Sequence, residues 1–326
     1  SVMPNYNGVW SLVTQYQYAA DWNADNPNPS RGLFAGGNTG SLSNVIEFVI
    51  IGTEGNTTDF GDLSGSGNKS GASFSSSTRG VFAGGFTTSR VNEIQYVTIA
   101  TEGDTSDFGD LSAARNNLTG LSNSTRGVAG GGVSGSTANL DIMEYVTIAS
   151  TGNMTDFGNL TVARFSPTSF QSTTRGVFAG GEPSSGGGSN VMDYITIAST
   201  GNATDFGNLE AILVGATGVS NNTRGVVGAG WRANGAYTNV MQYVTIASTG
   251  NTTDFGDLNN VYGYGGGAAA DPTRGLFAGG AGDGGSINVI DFITIASTGN
   301  ATDFGDLSAA KSQLFSGMVG SGHGGL

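Results

Sequence analysis

Apolar residues along the chain come in short blocks, broken by glycines and small polar turns. The stretch that starts at Arg175 shows the pattern. Gly176-Val177-Phe178-Ala179 is a short apolar run that ends in the pair Gly180-Gly181. Asn190 to Ala198 is rich in β-branched and aromatic residues, a composition that predicts a second strand. Ser199-Thr200-Gly201-Asn202 is a predicted turn, because glycine and asparagine tolerate positive φ. Asp205-Phe206-Gly207-Asn208-Leu209 opens a third strand. Leu213 to Val219 reads as a fourth, with small residues interleaved, and Ser220 to Thr223 turns the chain into the next Arg-Gly.

This unit recurs six times. Asp-Phe-Gly-Asp/Asn-Leu begins at Asp59, Asp107, Asp156, Asp205, Asp254 and Asp303, at intervals of 48, 49, 49, 49 and 49 residues. Arg-Gly followed by an apolar residue runs in step with it, at Arg31, Arg79, Arg126, Arg175, Arg224 and Arg274. A period of this length means a solenoid, a propeller or an array. Four short strands joined by turns make one propeller blade. A solenoid needs capping repeats with altered outer faces, whereas here the first and last repeats keep both anchors. The fourth strand occurs only five times between repeats. Its sixth copy is Ser312 to Gly320, predicted to close the ring beside Leu33-Phe34 and so remove the open sheet edges. The expected architecture is all-β: a six-bladed β-propeller over residues 31–326, four antiparallel strands per blade, behind a non-repeated segment 1–30.

Composition narrows the function classes. The formal charge is −13, and six of the twelve Lys and Arg are the repeated Arg. Neither nucleic acid nor an anionic membrane surface is an expected partner, since phosphate contacts need clustered cations. No apolar run reaches the length of a membrane-spanning helix, and no signal peptide is expected at the N-terminus. The chain has no Cys and a single histidine, His323, so zinc sites of His and Cys are not expected, and no metal or cofactor is predicted.

The blade resembles a kelch repeat. Its glycine pairs are Gly36-Gly37, Gly84-Gly85, Gly131-Gly132, Gly180-Gly181 and Gly279-Gly280, with Ala229-Gly230 departing from the pattern. The first aromatics are Phe48, Tyr96, Tyr145, Tyr194, Tyr243 and Phe292. Phe60, Phe108, Phe157, Phe206, Phe255 and Phe304 stand where kelch blades carry Trp. Kelch propellers serve enzymes, adaptors and adhesins alike, so this resemblance implies a fold rather than an activity. The opening Gly8-Val9-Trp10, with Gln15, Gln17 and Trp22-Asn23, is similar to the lead-in of tail-fibre and other structural proteins of marine and cyanobacterial phages, as are the near-identical repeats. That resemblance implies a virion location outside the cell, with residues 1–30 attaching to other virion proteins or forming a homo-oligomer. The alternative for 1–30 is a peptide that packs against the propeller.

The repeated Arg suggest an anion-binding ring near the axis. The competing expectation is that each pairs with Asp59, Asp107, Asp156, Asp205, Asp254 or Asp303, locking turn to turn by a bidentate contact. Strict repetition favours the pairs. Asp62, Asp110, Asp257 and Asp306 suggest calcium, but Asn159 and Asn208 replace two copies and no loop offers a full ligand set, so turn capping is expected. Asn56, Asn153, Asn202, Asn251 and Asn300 head Asn-X-Thr triplets; Asp104 fills that place once, which suits a turn better than a glycan acceptor. No sialidase Asp-box and no galactose-oxidase metal set is present, and enzymatic activity is not expected. The variable loops after the glycine pairs (38–43, 86–91, 133–138, 182–189, 231–238 and 281–286) should share one face with the loops entering the inner strands. Loops on a rigid scaffold carry recognition. Trp231, Arg232, Tyr237, Phe86, Arg90, Tyr262 and Tyr264 are the candidates to stack on a sugar or grip an anionic group. The expected function is a phage fibre or spike component that binds a host-surface glycan. The alternatives are a decoration or connector without a ligand, or a secreted kelch-type interaction module.

Overall fold

The computed structural model describes residues 29–135, 138–232 and 235–322; most of the expected attachment segment and His323 lie outside them. Six antiparallel sheets form a six-bladed propeller. Blade II is Ala72–Ser75, Arg79–Ala83, Glu93–Thr98 and Ser106–Asp110, from the axis outward. Blades III, IV, V and VI repeat this order and end at Asn159, Asn208, Asp257 and Asp306. Blade I is Arg31–Ala35, Val45–Ile50 and Thr58–Asp62, with its inner position filled from the C-terminus. Leu33 N–H donates to Val319 O, and Gly32 pairs with Gly320, which is the expected closure.

The sequence unit and the blade are out of phase by one strand. The expected fourth strand, found over Thr217–Ser220 rather than the whole of 213–219, is the inner strand of the next blade, paired with Arg224–Gly228. Every blade therefore takes its inner strand from the preceding unit.

The Arg-Gly glycine allows a close approach, not a turn. A Cβ on Gly127 would lie 2.1 Å from the Phe74 ring of the preceding blade's inner strand, and one on Gly225 would lie 2.1 Å from Phe170. In Asp-Phe-Gly, the phenylalanine is the extra residue of a β-bulge: Met143 faces Gly158 and Glu144 faces Asp156, which leaves Phe157 unpaired and turned into the core. A Cβ on Gly158 would lie 2.4 Å from Gly201 O of the next blade, and Gly201 N–H donates to Phe157 O at 2.7 Å. The core accordingly lies between blades. Six apolar clusters form, each shared by two consecutive blades, the sixth and first included.

The axis is filled. Residues 316–318 cross it, and a Cβ on Gly317 would meet Ser73 O at 2.0 Å and Gly120 O at 2.5 Å. Ser73 N–H and Gly120 N–H both donate to Ser316 O, and Ser220 N–H donates to Met318 Sδ.

Candidate recognition face

The variable loops do share a face with the loops that enter the inner strands. Six bridges join them: Asn38 to Ser312, Phe86 to Lys69, Val133 to Asn116, Glu182 to Phe165, Trp231 to Val214, and Ala281 to Gly263. Ser70, Asn117, Ser166, Gly215, Tyr264 and Gln313 ring the axis there, all with φ between 50° and 64°. Backbone hydrogen bonds run head to tail around this ring: Asn117 N–H donates to Ser70 O, Ser166 to Asn117, Gly215 to Ser166, Gly265 to Gly215, Leu314 to Gly265, and Ser70 to Gln313. The hollow they enclose is about 30 Å³, room for a water but not a sugar. A ligand on this face must sit on the loops.

The structure divides the seven candidates into three groups. Trp231, Arg232, Tyr237 and Tyr264 gather over blades IV to VI. Trp231 pairs with Tyr237 across its loop, and Arg232 N–H donates to Ala236 O. A Cβ on Gly215 would lie 2.9 Å from Tyr264, and Gly215 N–H donates to Ser166 O; on either side, Val214 pairs with Trp231 and Phe165 with Glu182. Burial pushes the Tyr264 phenol up, with Ser166 pulling it back and Glu182 and Tyr237 raising it further. Phe86 and Arg90 belong to blade II, across the axis from Trp231, and cannot serve the same small ligand. Arg90 is already engaged, with Nε donating to Asn116 Oδ1 and Nη1 to Gly135 O. Tyr262 is corrected: it is 1% exposed and packs in the core between blades V and VI, because its ring fills a slot that longer cations take in other blades. Glu182 was not among the candidates. It occupies the slot after the glycine pair, held elsewhere by Asn38, Phe86, Val133, Trp231 and Ala281, and this slot varies at every copy.

The opposite face carries the six Arg, and the expected Arg–Asp pairs are not made. Each guanidinium lies over its own blade's first aromatic, from 4.3 Å for Arg126 over Tyr145 to 4.6 Å for Arg79 over Tyr96. Its Nη1 donates to a carbonyl of the next blade: Arg31 to Ile99, Arg79 to Ile148, Arg126 to Ile197, Arg175 to Ile246, Arg224 to Ile295 and Arg274 to Ile51. The Asp partners fail because the bulge that turns each Phe inward leaves Asp59, Asp107, Asp156, Asp205, Asp254 and Asp303 exposed on the outer strands. Charges there discourage edge-to-edge pairing. Capping runs opposite to expectation: Asn153 Oδ1 accepts the Asp110 N–H, and Asp104 Oδ1 that of Asp62, so the acids' backbone receives the cap. Among the described residues, no three His, Asp or Glu converge as for a metal ion. Ala229 takes φ 62°, as the first glycine of the other pairs does.

Charge is also buried between blades. Arg115 meets Glu144 at 2.6 Å, Arg164 meets Asp193 at 2.5 Å, and Lys311 meets Glu47, with every partner at most 2% exposed. Burial pushes the Glu47 carboxyl up, but Lys311, Thr57 and Ser308 outweigh it and hold it below the usual range. Among the described residues Asp291 has no cation partner and accepts from Asn259 N–H and Nδ2, the Tyr262 hydroxyl making no hydrogen bond; burial leaves the Asp291 carboxyl raised.

No protein-family profile matches the chain, and no curated protein matches it by sequence. Among solved structures, one described as that of YjhT superposes with a TM-score of 0.66 at 10% identity, over 80% of this chain and 91% of the other. The likeness is one of fold, a β-propeller; it extends neither to kelch family membership nor to phage proteins.

Proposed function

We propose that this chain is a non-enzymatic recognition module: a virion fibre or spike component that binds a host-surface glycan through the loop face. The neighbouring loops that bring Trp231 against Tyr237 and Val214, Tyr264 against Gly215, and Glu182 against Phe165 beside Ser166 carry this reading. Aromatic rings with an acid and hydroxyls nearby suit a sugar, which offers apolar ring faces and hydroxyl donors together. The variable slot after each glycine pair supports it too, since it alters the face while the latches between blades stay constant. The virion assignment rests on the sequence resemblance of the opening segment and the repeats, with residues 1–30 joining other virion proteins.

The experiment is binding of the purified chain to a glycan array and to intact candidate host cells, beside Trp231→Ala/Tyr237→Ala. Binding by the parent that falls at least about tenfold in the variant supports recognition at this site. No binding by the parent favours a virion building block without ligand. Binding that the variant keeps moves the site off blades IV to VI.

A further inference from the structure

The six Arg are not equivalent. In blades I and VI the guanidinium has an acid partner: Arg31 Nη2 meets Glu102 at 3.1 Å, and Arg274 Nη2 meets Glu54 at 3.4 Å. Both acids stand three residues beyond the isoleucine whose carbonyl takes Nη1. In the other four blades that place holds Thr151, Thr200, Thr249 and Thr298, all exposed. Arg79, Arg126, Arg175 and Arg224 make no ion pair among the described residues, and none of their nitrogens is a buried, unpartnered atom. Four consecutive blades thus present a guanidinium fixed by a ring and a carbonyl, with one edge open to solvent.

The chain itself demonstrates what fits that edge. Glu102 and Glu54 are carboxylates, half exposed, placed against the same edge in the two remaining blades. Two hydroxyl-lined hollows lie on the turns that carry Thr200 and Thr298. One of about 250 Å³ is bounded by Phe157, Tyr194, Thr196, Ser199, Thr200 and Asn202; its counterpart in blade VI, of about 150 Å³, includes Thr298. Thr200 and Thr298 therefore line a hollow and also stand in the acid's place opposite Arg126 and Arg224.

We propose that the arc Arg79, Arg126, Arg175 and Arg224, with these hollows, binds an acidic polysaccharide carrying a carboxylate on each sugar, of the uronic-acid type. A sugar ring sits in a hollow against hydroxyls, and its carboxylate takes the open guanidinium edge. The fixed guanidinium loses little further freedom on binding. Repetition at equal steps suits a repeating anion, because each added contact becomes intramolecular once the first has formed. Distant acids count little against this, since exposed charges are screened beyond about 8 Å at physiological ionic strength, and the exposed Asp156 and Asp205, next to the lining residues Phe157 and Thr204, are the local charges the guanidinium arc must outweigh. The site lies on the face opposite the proposed glycan loops and does not depend on them.

The test is calorimetric titration of the full chain with polygalacturonate oligomers, with neutral dextran oligomers and dextran sulfate as controls. Thr151→Glu/Thr200→Glu/Thr249→Glu/Thr298→Glu supplies each guanidinium with an internal acid at exposed positions, and is expected to weaken binding at least about tenfold with an unchanged melting temperature. Glu54→Gln/Glu102→Gln extends the arc to six and is expected to tighten binding about threefold or more. Trp231→Ala/Tyr237→Ala is expected to have no effect, so failure here is distinct from failure at the loop face. The proposal is overturned if the parent does not bind polygalacturonate, if it binds only dextran sulfate, or if neither set of substitutions changes the affinity.

Discussion

Gly127 shows how much of this fold is fixed by single atoms. Its φ is not positive, so nothing in its own backbone demands glycine. The demand comes from Phe74, whose ring occupies the place a Cβ would take. Gly127→Ala is expected to cost about 1–3 kcal/mol through overpacking. Phe74→Ala alone is expected to cost about 3–5 kcal/mol through the cavity it leaves. The double variant should cost clearly less than the sum, because the new methyl enters space the ring has vacated. Denaturant unfolding of all three chains checks this; simple additivity would mean that Gly127 is required for another reason. The repeated glycine was legible in the sequence, but its cause was not, because the atom it makes room for lies 53 positions away in a different unit.

At the scale of the element, the blade was readable and its partnerships were not. Strand positions followed from β-branched runs and glycine pairs because those features are local. Each Arg was expected to meet an acid of its own kind of turn; it reaches a carbonyl of the next blade instead, and spacing within a unit cannot reveal that. Tyr262 was misplaced for a related reason, since an aromatic in a loop reads as exposed unless its slot is compared across units. That comparison was available. Positions 68, 115, 164, 213, 262 and 311 hold Asn, Arg, Arg, Leu, Tyr and Lys; the positions equivalent to their acid partners, 95, 144, 193, 242, 291 and 47, hold Gln, Glu, Asp, Gln, Asp and Glu. A cation in this slot always has an acid partner, and where the slot is Asn68 or Leu213 the partner is a neutral glutamine. The chain therefore already contains a neutral form of the pair. Arg164→Leu alone strands the buried Asp193 and is expected to cost about 3–5 kcal/mol. Arg164→Leu/Asp193→Gln copies blade V, Leu213 with Gln242, and is expected to recover most of that loss. Melting curves decide it; if the double variant is no better than the single, the buried charges have a role beyond satisfying one another.

Over the whole molecule, stability depends on a ring that a linear chain must close. Five of the six junctions between consecutive blades form between units adjacent in sequence, and the sixth joins the two ends. Its components are the pairing of Leu33 with Val319, the plug at 316–318, the latch of Arg274 on Ile51, and the buried pair of Lys311 with Glu47. Only the strand exchange was foreseeable, from counting fourth strands. The plug was not, because Gly317 crosses the axis at a place no other unit occupies. Cutting the chain after Ala310 removes the plug, the inner strand of blade I and the partner of Glu47 together. The edge of Arg31–Ala35 is then open, and the inner strands of blades II, III, V and VI lose the segment they pack against. Such a chain is expected to aggregate, since an unpaired apolar edge is a template for another copy. Loss of the Lys311 charge alone is expected to cost about 3–5 kcal/mol. A synthetic peptide of residues 311–322, added during refolding, should restore a soluble monomer by size exclusion, because every contact it makes is with preformed blades. A truncated chain that stays monomeric with an unchanged melting temperature would show that the ring holds through its side-by-side latches alone, with closure contributing nothing to stability.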